Sequence, residues 1–435
     1  MPTFNEVIFS LQDKDIFISS EPEILDFTCD RVTSYKLHIS SIEYKIDIPF
    51  SLEKRKLQEL LSKLECFLGN ENSIIITWKL KNILSYCKGK TGVNLDLKGR
   101  IFDLAYLEGY LDINLEKPKT FAEAKKRLEN LLNNKRWNDV YKMYTNVIHP
   151  LMYTLPEIET YPLLNKSKKK KVYSYYEING QINGRLKAVS VFENSFNPHN
   201  SDTEEKKNLI PLSWGDKEYF VFDYKHMEVS VLAWLSQDRK MKEILDSGAD
   251  FYEACWNLLV PNVLCNARHR KTCKEFFLPI VYGLGSESLS KKISWPLVHS
   301  KKLVEDINNI FSTAMSWIKE QQNNTFEGKA YDYFSRCRSF DNSYKIRNFS
   351  IQSPAAIICL HKLTELSKKI KNCKICMHIH DGYVIIGNKS EFVKIYNDAK
   401  SILESEDDLY RGLKLTTACK HGSNFDNLIS LKGGL

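Results

Sequence analysis

Short apolar runs broken by polar turns fill the first 120 residues or so. Val7 to Phe9, Tyr44 to Ile48 and Ser73 to Thr77 read as strands, while Leu52 to Leu68 keeps a helical period. This mixture predicts a small α/β unit. From Phe121 to about Leu155 the pattern turns helical and charged, and a short connection leads into Lys166, Ser167, Lys168, Lys169, Lys170 and Lys171. That run reads as a solvated linker, with a phosphate-contacting segment as the alternative. Further on, Tyr219 to Asp223 is an aromatic strand feeding a helix, and Ile375 to Ile386 is two strands meeting at a polar tip. A mostly helical block lies between them, from about Arg239 to Gln322. No segment recurs at a period of about 20 to 50 residues, and there is no low-complexity tract beyond the lysines.

With 435 residues, 43% of them hydrophobic, the chain has a globular composition and room for about two to four cores at roughly 100 to 200 residues each. The formal charge of +8 is by itself only a weak pointer to polyanionic partners. Eleven scattered cysteines and no signal-like N-terminal segment predict free thiols in a reducing, cytoplasmic setting. The longest apolar runs, such as Phe276 to Tyr282 and Tyr383 to Ile386, fall far short of the ~20 residues of a membrane span, so no membrane partner is expected. Cys373 and Cys376 read as thiols on opposite faces of a strand rather than zinc ligands, because no second pair has metal spacing.

Two acids stand where strands end. Asp223 follows Tyr219-Phe-Val-Phe and precedes the helical Glu228-Val-Ser-Val-Leu-Ala-Trp-Leu; Asp381 lies in the tip His380-Asp381-Gly382. A helix N-terminal acid explains Asp223 alone as well as a site does, and a hairpin turn explains Asp381 alone. Together, however, two acids from distant segments can hold a pair of divalent ions about 3.5 to 4 Å apart, the arrangement that serves phosphoryl transfer. Between them Arg270, Lys274, Leu278 and Tyr282 fall four apart, one slowly drifting helical stripe with cations at one end and an aromatic ring at the other. Such a stripe suits a triphosphate and a base, and equally an amphipathic helix with a basic face.

In order, Asp223-Tyr-Lys-His-Met-Glu228, Arg270-x3-Lys274-x7-Tyr282-Gly283 and His380-Asp381 resemble motifs A, B and C of family A DNA polymerases, the DNA polymerase I type. The resemblance extends to Asn183-Gly184-Arg185, Gly248-Ala-Asp250-Phe-Tyr252, Asn348-x3-Gln352 and the ending Gly422-Ser-Asn-Phe425-Asp426, covering roughly residues 172 to 435. It implies an α/β (α+β) right-hand polymerase with a palm sheet, helical fingers, a vestigial thumb and an N-terminal RNase H-like exonuclease-type domain. The expected boundaries are 1–150 for that domain, 151–171 for the thumb or linker, 172–238 and 341–435 for the palm, and 239–340 for the fingers. The implied activity is template-directed addition of dNTPs to the 3'-hydroxyl of primer-template DNA.

By position, the resemblance implies that Asp223 and Asp381 ligate two Mg²⁺, for which Mn²⁺ could substitute, with the Tyr224 carbonyl as a further ligand. Arg270 and Lys274 would hold the triphosphate and Tyr282 would lie beside the nascent pair. Glu228 would crowd the sugar 2' position. Arg185, Asn348 and Gln352 would touch the minor groove near the primer end, and His380 would sit by the primer terminus. The chain departs from the family pattern at Leu278, where an aromatic residue is usual, at Pro279, which favours a helix kink, and at Gly382, where a second acid is usual.

The N-terminal unit resembles the family's 3'-5' exonuclease domain in outline only. Ser19-Ser20-Glu21 stands for an Asp-x-Glu pair and Trp78-Lys-Leu-Lys-Asn82 for Asn-x3-Asp; for the third motif, Phe121-x3-Lys125 and Asn133-x3-Trp137 both lack an acid. Only Glu21 remains, too little negative charge for two divalent ions, so no proofreading is expected. With so short a thumb, processivity should be low unless a partner helps. A compact enzyme of this kind fits a bacteriophage, virus or mobile element, and in the phage case the bacterial host cytoplasm. Two rivals remain: a single-subunit RNA polymerase, against which Glu228 counts, and a catalytically inactive DNA-binding protein.

Overall fold

The computed structural model describes residues 16–21, 36–40, 45–49, scattered positions between 54 and 65, and residues 73–97, 99–113, 116–201, 203–212, 216–326 and 328–431. The expected strand at Val7 to Phe9, and most of the helix expected from Leu52 to Leu68, lie outside these residues.

The N-terminal unit is a five-stranded sheet of β1 (Ile16–Glu21), β2 (Lys36–Ser40), β3 (Lys45–Pro49), β4 (Ile74–Thr77) and β5 (Arg100–Asp103), in the order β3-β2-β1-β4-β5. β1 pairs antiparallel with β2 and parallel with β4, and β4 is parallel to β5. A parallel pair needs a crossover, and helix α1 (Leu80–Thr91) supplies it. Asp103 ends β5 and caps α2 (Leu104–Tyr110) by accepting from the Tyr106 amide. Three helices follow, α3 (Phe121–Leu132), α4 (Trp137–Met143) and α5 (His149–Glu159), the last two joined by one π turn.

The lysine run is not a linker. Strands β6 (Leu163–Asn165) and β7 (Lys170–Ser174) pair antiparallel, so the lysines form a hairpin tip, where Asn165 Oδ1 accepts from Ser167 Oγ at 2.8 Å and from the Lys168 amide at 3.0 Å. A short polar side chain that bonds two and three residues ahead closes such a turn whatever the charge of its neighbours. After the short pair β8 (Tyr176–Glu177) and β9 (Lys187–Ala188), strand β10 (Ser195–Phe196), helix α6 (Thr203–Lys207) and strand β11 (Leu209–Pro211) complete a sheet of order β10-β7-β6-β11.

The strand β12 (Lys217–Tyr224) leads into α7 (Met227–Ser236) and then the helices α8 (Arg239–Asp246), α9 (Phe251–Leu259), α10 (Ala267–Val281), α11 (Ser286–Ile293), α12 (Leu297–Ile310) and α13 (Ser312–Asn323). The helical block thus runs about as expected. α10 continues through Pro279 to Val281, and the Pro279 carbonyl accepts from the Leu284 amide at 2.8 Å. A small sheet of β13 (Thr325–Phe326), β14 (Lys329–Tyr331) and β15 (Cys337–Ser339) comes next, then the largely buried 26-residue helix α14 (Tyr344–Lys369). Strands β16 (Cys373–Ile379) and β17 (Gly382–Asn388), helix α15 (Phe392–Glu404), and strands β18 (Thr417–Gly422) and β19 (Ile429–Ser430) complete the chain's antiparallel central sheet, β16-β17-β12-β18-β19. No helix among the described residues is long and apolar enough to cross a membrane.

Three hydrogen bonds are among those that tie the N-terminal unit to the rest. The buried Lys81 of α1 bonds the buried Glu159 at the end of α5 at 2.9 Å. Tyr110 Oη donates to the Phe334 carbonyl at 3.0 Å, and Arg338 donates to the Gly109 carbonyl at 2.7 Å.

Candidate active site

The site starts from the alternation of β12. Phe220 and Phe222 lie against Phe392 and Tyr396 of α15, and Tyr224 bonds the Leu403 carbonyl at 2.8 Å. Successive side chains of a strand point to opposite faces. Asp223 is therefore turned away from α15, and its exposed side chain emerges at the end of the strand. β17 runs beside it with Asp223 opposite Gly382, and the two-residue turn His380-Asp381 places the second acid at the same end. His380 adopts the left-handed conformation such a turn requires, φ 56°. The Tyr224 amide donates to the Asp381 carbonyl at 3.4 Å.

Although Asp223 is solvent-accessible, the atoms crowded round its carboxyl desolvate it, and this, ahead of the Asp381 carboxylate, pushes it up to about 6, while Lys274 and Lys420 partly offset both. The two acids thus face one space. Gly382 is tightly placed: a Cβ there would lie 3.1 Å from the Phe222 carbonyl oxygen and 3.3 Å from Asp223 Oδ1. The glycine that departs from the family pattern therefore leaves room for the Asp223 carboxylate.

A cavity of about 630 Å³ opens here, bounded by Asp223, Asp381, Asp250, Arg270, Lys274 and Leu278 among others. The stripe read from the sequence is real geometry along α10, for Arg270, Lys274 and Leu278 all line it. Tyr282 caps the helix and instead reaches Glu228, donating its hydroxyl to that carboxylate. Glu228 is a hub: it also accepts from Arg185 Nη2 at 3.0 Å and from Gln352 Nε2 at 2.9 Å, and Gln352 Oε1 in turn accepts from Asn183 at 3.1 Å. Asn348 is half-buried one turn before Gln352 on α14. The His380 ring stacks on His199 with centroids 4.7 Å apart, beside Asp381.

Asp250 was not given a role from the sequence. Its carboxylate caps α9 through the Tyr252 and Glu253 amides, holds Arg270 Nη2 at 2.6 Å and stands 3.2 Å from His226 Nε2. Burial opposes its ionisation, but the bonds from His226 and Arg270 outweigh burial and hold the carboxyl well below its usual range. The signal was present in Asp250-Phe-Tyr-Glu253, the spacing of a capping box. Nothing local pointed to Arg270 as its partner.

In the N-terminal unit Ser19 and Ser20 are buried, and Glu21 is mostly exposed, 3.2 Å from His38. Asn82 accepts the Tyr175 hydroxyl at 2.7 Å. Phe121 and Lys125 share α3, and Asn133 and Trp137 flank the turn into α4. One acid that the sequence reading missed, Asp103, does sit at the carboxyl end of the parallel strands. Its oxygens are taken by Thr77 Oγ1 at 2.9 Å and by the Leu80, Lys79 and Tyr106 amides, so it serves as a cap.

Residues 111–427 match the model of DNA polymerase family A. DNA polymerase I of Helicobacter pylori (strain J99 / ATCC 700824) is 24% identical over 328 residues, 68% of this chain and 36% of that protein. The thermostable DNA polymerase I of Thermus aquaticus is 22% identical over 199 residues, 42% of this chain and 24% of that protein. The chain thus spans about a third or less of these relatives. Among solved structures, the POL domain of Pol1 from M. smegmatis, in complex with DNA primer-template and dNTP, shares the fold with a TM-score of 0.72 over 96% of each chain, at 12% identity.

Proposed function

The chain belongs to DNA polymerase family A, and from that membership we propose that it is a template-directed DNA polymerase without proofreading. It would add deoxynucleotides to the 3'-hydroxyl of a primer annealed to a template strand. The observation that carries this reading is the convergence of Asp223 and Asp381 with Arg270 and Lys274 on one cavity. Two carboxylates with the Tyr224 carbonyl would make the hard oxygen set that suits Mg²⁺. Bound there, two such ions would activate the 3'-hydroxyl and neutralise the pyrophosphate as it leaves. Arg270 and Lys274 face the same space and would hold the triphosphate, Arg270 exchanging Asp250 for phosphate oxygens. Tyr282 would then lie beside the nascent pair, and Arg185, Asn348, Gln352 and His380 near the primer end.

The exonuclease-like unit, thumb, fingers and palm would follow the order expected from the sequence. Helix α3 packs on β1 and β4 while α5 packs on α14, so the helices between the N-terminal unit and the palm belong physically to both. The loss of acids at Ser19 and Asn82, and at Lys125 or Trp137 for the third motif, supports the absence of proofreading. Nine free cysteines among the described residues support a cytoplasmic location, that of the host cell if the source is a bacteriophage.

The test is a 5'-labelled primer annealed to a longer template. With dNTPs and Mg²⁺ the primer should lengthen, and without dNTPs it should not shorten; a primer never lengthened with either Mg²⁺ or Mn²⁺ overturns the proposal. Glu228→Ala is expected to narrow the preference for deoxy- over ribonucleotides by about tenfold or more, since ~1.4 kcal/mol of relative barrier is one decade. The ratio of the two kcat/KM values checks it, and an unchanged ratio removes Glu228 from sugar selection.

A further inference from the structure

We propose that Arg336 is a positioning residue for nucleotide selection, holding the turn 181–185 so that Arg185 and Asn183 keep Glu228 and Gln352 in register. The inference deepens the polymerase reading above and rests on it.

Arg336 is fully buried and makes no ion pair within 4 Å among the described residues, although buried Arg338 stands near enough to oppose its charge and buried Asp332 near enough to favour it. A buried cation with no direct ion pair is costly, and an apolar residue of similar volume would usually fill the space more favourably. What the guanidinium does have is three acceptors. It donates to two successive carbonyls, Ile182 and Gln181, the latter at 3.1 Å, and to Ser353 Oγ at 3.4 Å. Gly184 lies against its face: φ is +80°, and a Cβ there would be 3.3 Å from Arg336 Cζ. The turn is therefore fitted to this one side chain, in both backbone conformation and space.

The far side of the same turn carries the groups that meet the Glu228 hub. Arg185 donates to Glu228, and Asn183 donates to Gln352, which donates to Glu228 as well. Ser353, the third acceptor, directly follows Gln352 on α14. Arg336 thus touches both segments that bear on Glu228 without touching Glu228 itself. Its own loop is anchored, since Asp332 Oδ1 accepts the Arg336 amide at 2.8 Å and the Phe334 carbonyl accepts Tyr110 Oη from the N-terminal unit. A lysine could not replace it, because a single ammonium on a flexible stem lacks the planar fork that reaches two carbonyls at once.

The experiment measures single-nucleotide incorporation by the full chain, with deoxy- and ribonucleotides, for wild type, Arg336→Lys and Gly184→Ala, alongside thermal melts. Arg336→Lys is expected to raise the dNTP KM more than it lowers kcat, and to narrow the deoxy-over-ribo ratio by about tenfold, the scale of one misplaced hydrogen bond. Gly184→Ala, which pushes a methyl at the guanidinium from the other side, should move the ratio in the same direction. A purely structural role would lower both nucleotides' rates alike, so an unchanged ratio in folded variants overturns the inference. If Arg336→Lys does not fold, the Gly184→Ala ratio decides. A wild type that extends no primer overturns the polymerase reading and this inference with it, and does so before any substitution is compared.

Discussion

Asp223→Ala and Asp381→Ala will each cut primer extension by about a thousandfold or more while leaving the protein folded. Losing a metal-holding carboxylate removes several kcal/mol of transition-state stabilisation, and each ~1.4 kcal/mol is a decade in rate. The fold should survive because Asp223 is a liability to it without cations: crowding round the carboxyl and the charge of Asp381 hold it up at about 6. The sign follows. A carboxyl whose folded pKa lies above its unfolded value disfavours the folded state once pH exceeds the unfolded pKa, and the penalty is complete above about 6. In EDTA at neutral pH, Asp223→Ala should therefore melt no lower than wild type, with that advantage fading as pH falls towards the ordinary carboxylate range. Extension rates and melting curves check the two halves. Wild-type extension by Asp223→Ala would remove the acid from the chemistry, and retained DNA binding with no extension by any form, wild type included, would favour the inactive DNA-binding reading.

Glu159→Leu should destabilise the protein by about 3 to 5 kcal/mol, the cost of stranding one member of a buried ion pair. Both Lys81 and Glu159 are about fully buried. Burial pushes Lys81 down and Glu159 up, and their mutual attraction opposes both shifts. Glu159 also accepts from the Tyr176 amide at 2.8 Å and from Ser85 Oγ, and Lys81 Nζ lies 3.7 Å above the Tyr175 ring. The substitution therefore strands a cation, a hydroxyl and an amide together. Adding Lys81→Met should return part of the loss, because the cation is then gone while the other two donors stay unpaired. Urea unfolding midpoints measure this. A single-variant loss below about 1 kcal/mol, the range of an exposed pair, would show that the two side chains are not joined in a dry interior.

The readable parts of this chain were those whose cause is local. The aromatic, apolar run Tyr219 to Phe222 ending at Asp223 predicts a strand, and the Asp-Gly after Ile375 to Ile379 predicts a hairpin; both fold so. Spacing by four put Arg270, Lys274 and Leu278 on one line, because a helix of 3.6 residues per turn leaves them no other arrangement. The same local reasoning failed at Lys166 to Lys171, where charge suggested a tether and Asn165 closes a hairpin. It also assigned Tyr282 to the stripe without seeing that its hydroxyl turns to Glu228.

Residue order alone therefore specifies the strand that ends at Asp223, the hairpin that carries Asp381 and the basic helix, since φ/ψ preference and side-chain period act over a few neighbours. The meeting of Arg185, Tyr282 and Gln352 at one carboxylate, the hold of Asp250 on Arg270, the burial of Lys81 with Glu159 and the reach of Arg336 to the turn before Arg185 came only with the packed chain. Each of those contacts joins segments far apart in the chain. Their distances depend on how sheets and helices stack, and that is fixed by the summed burial of many side chains rather than by any one of them.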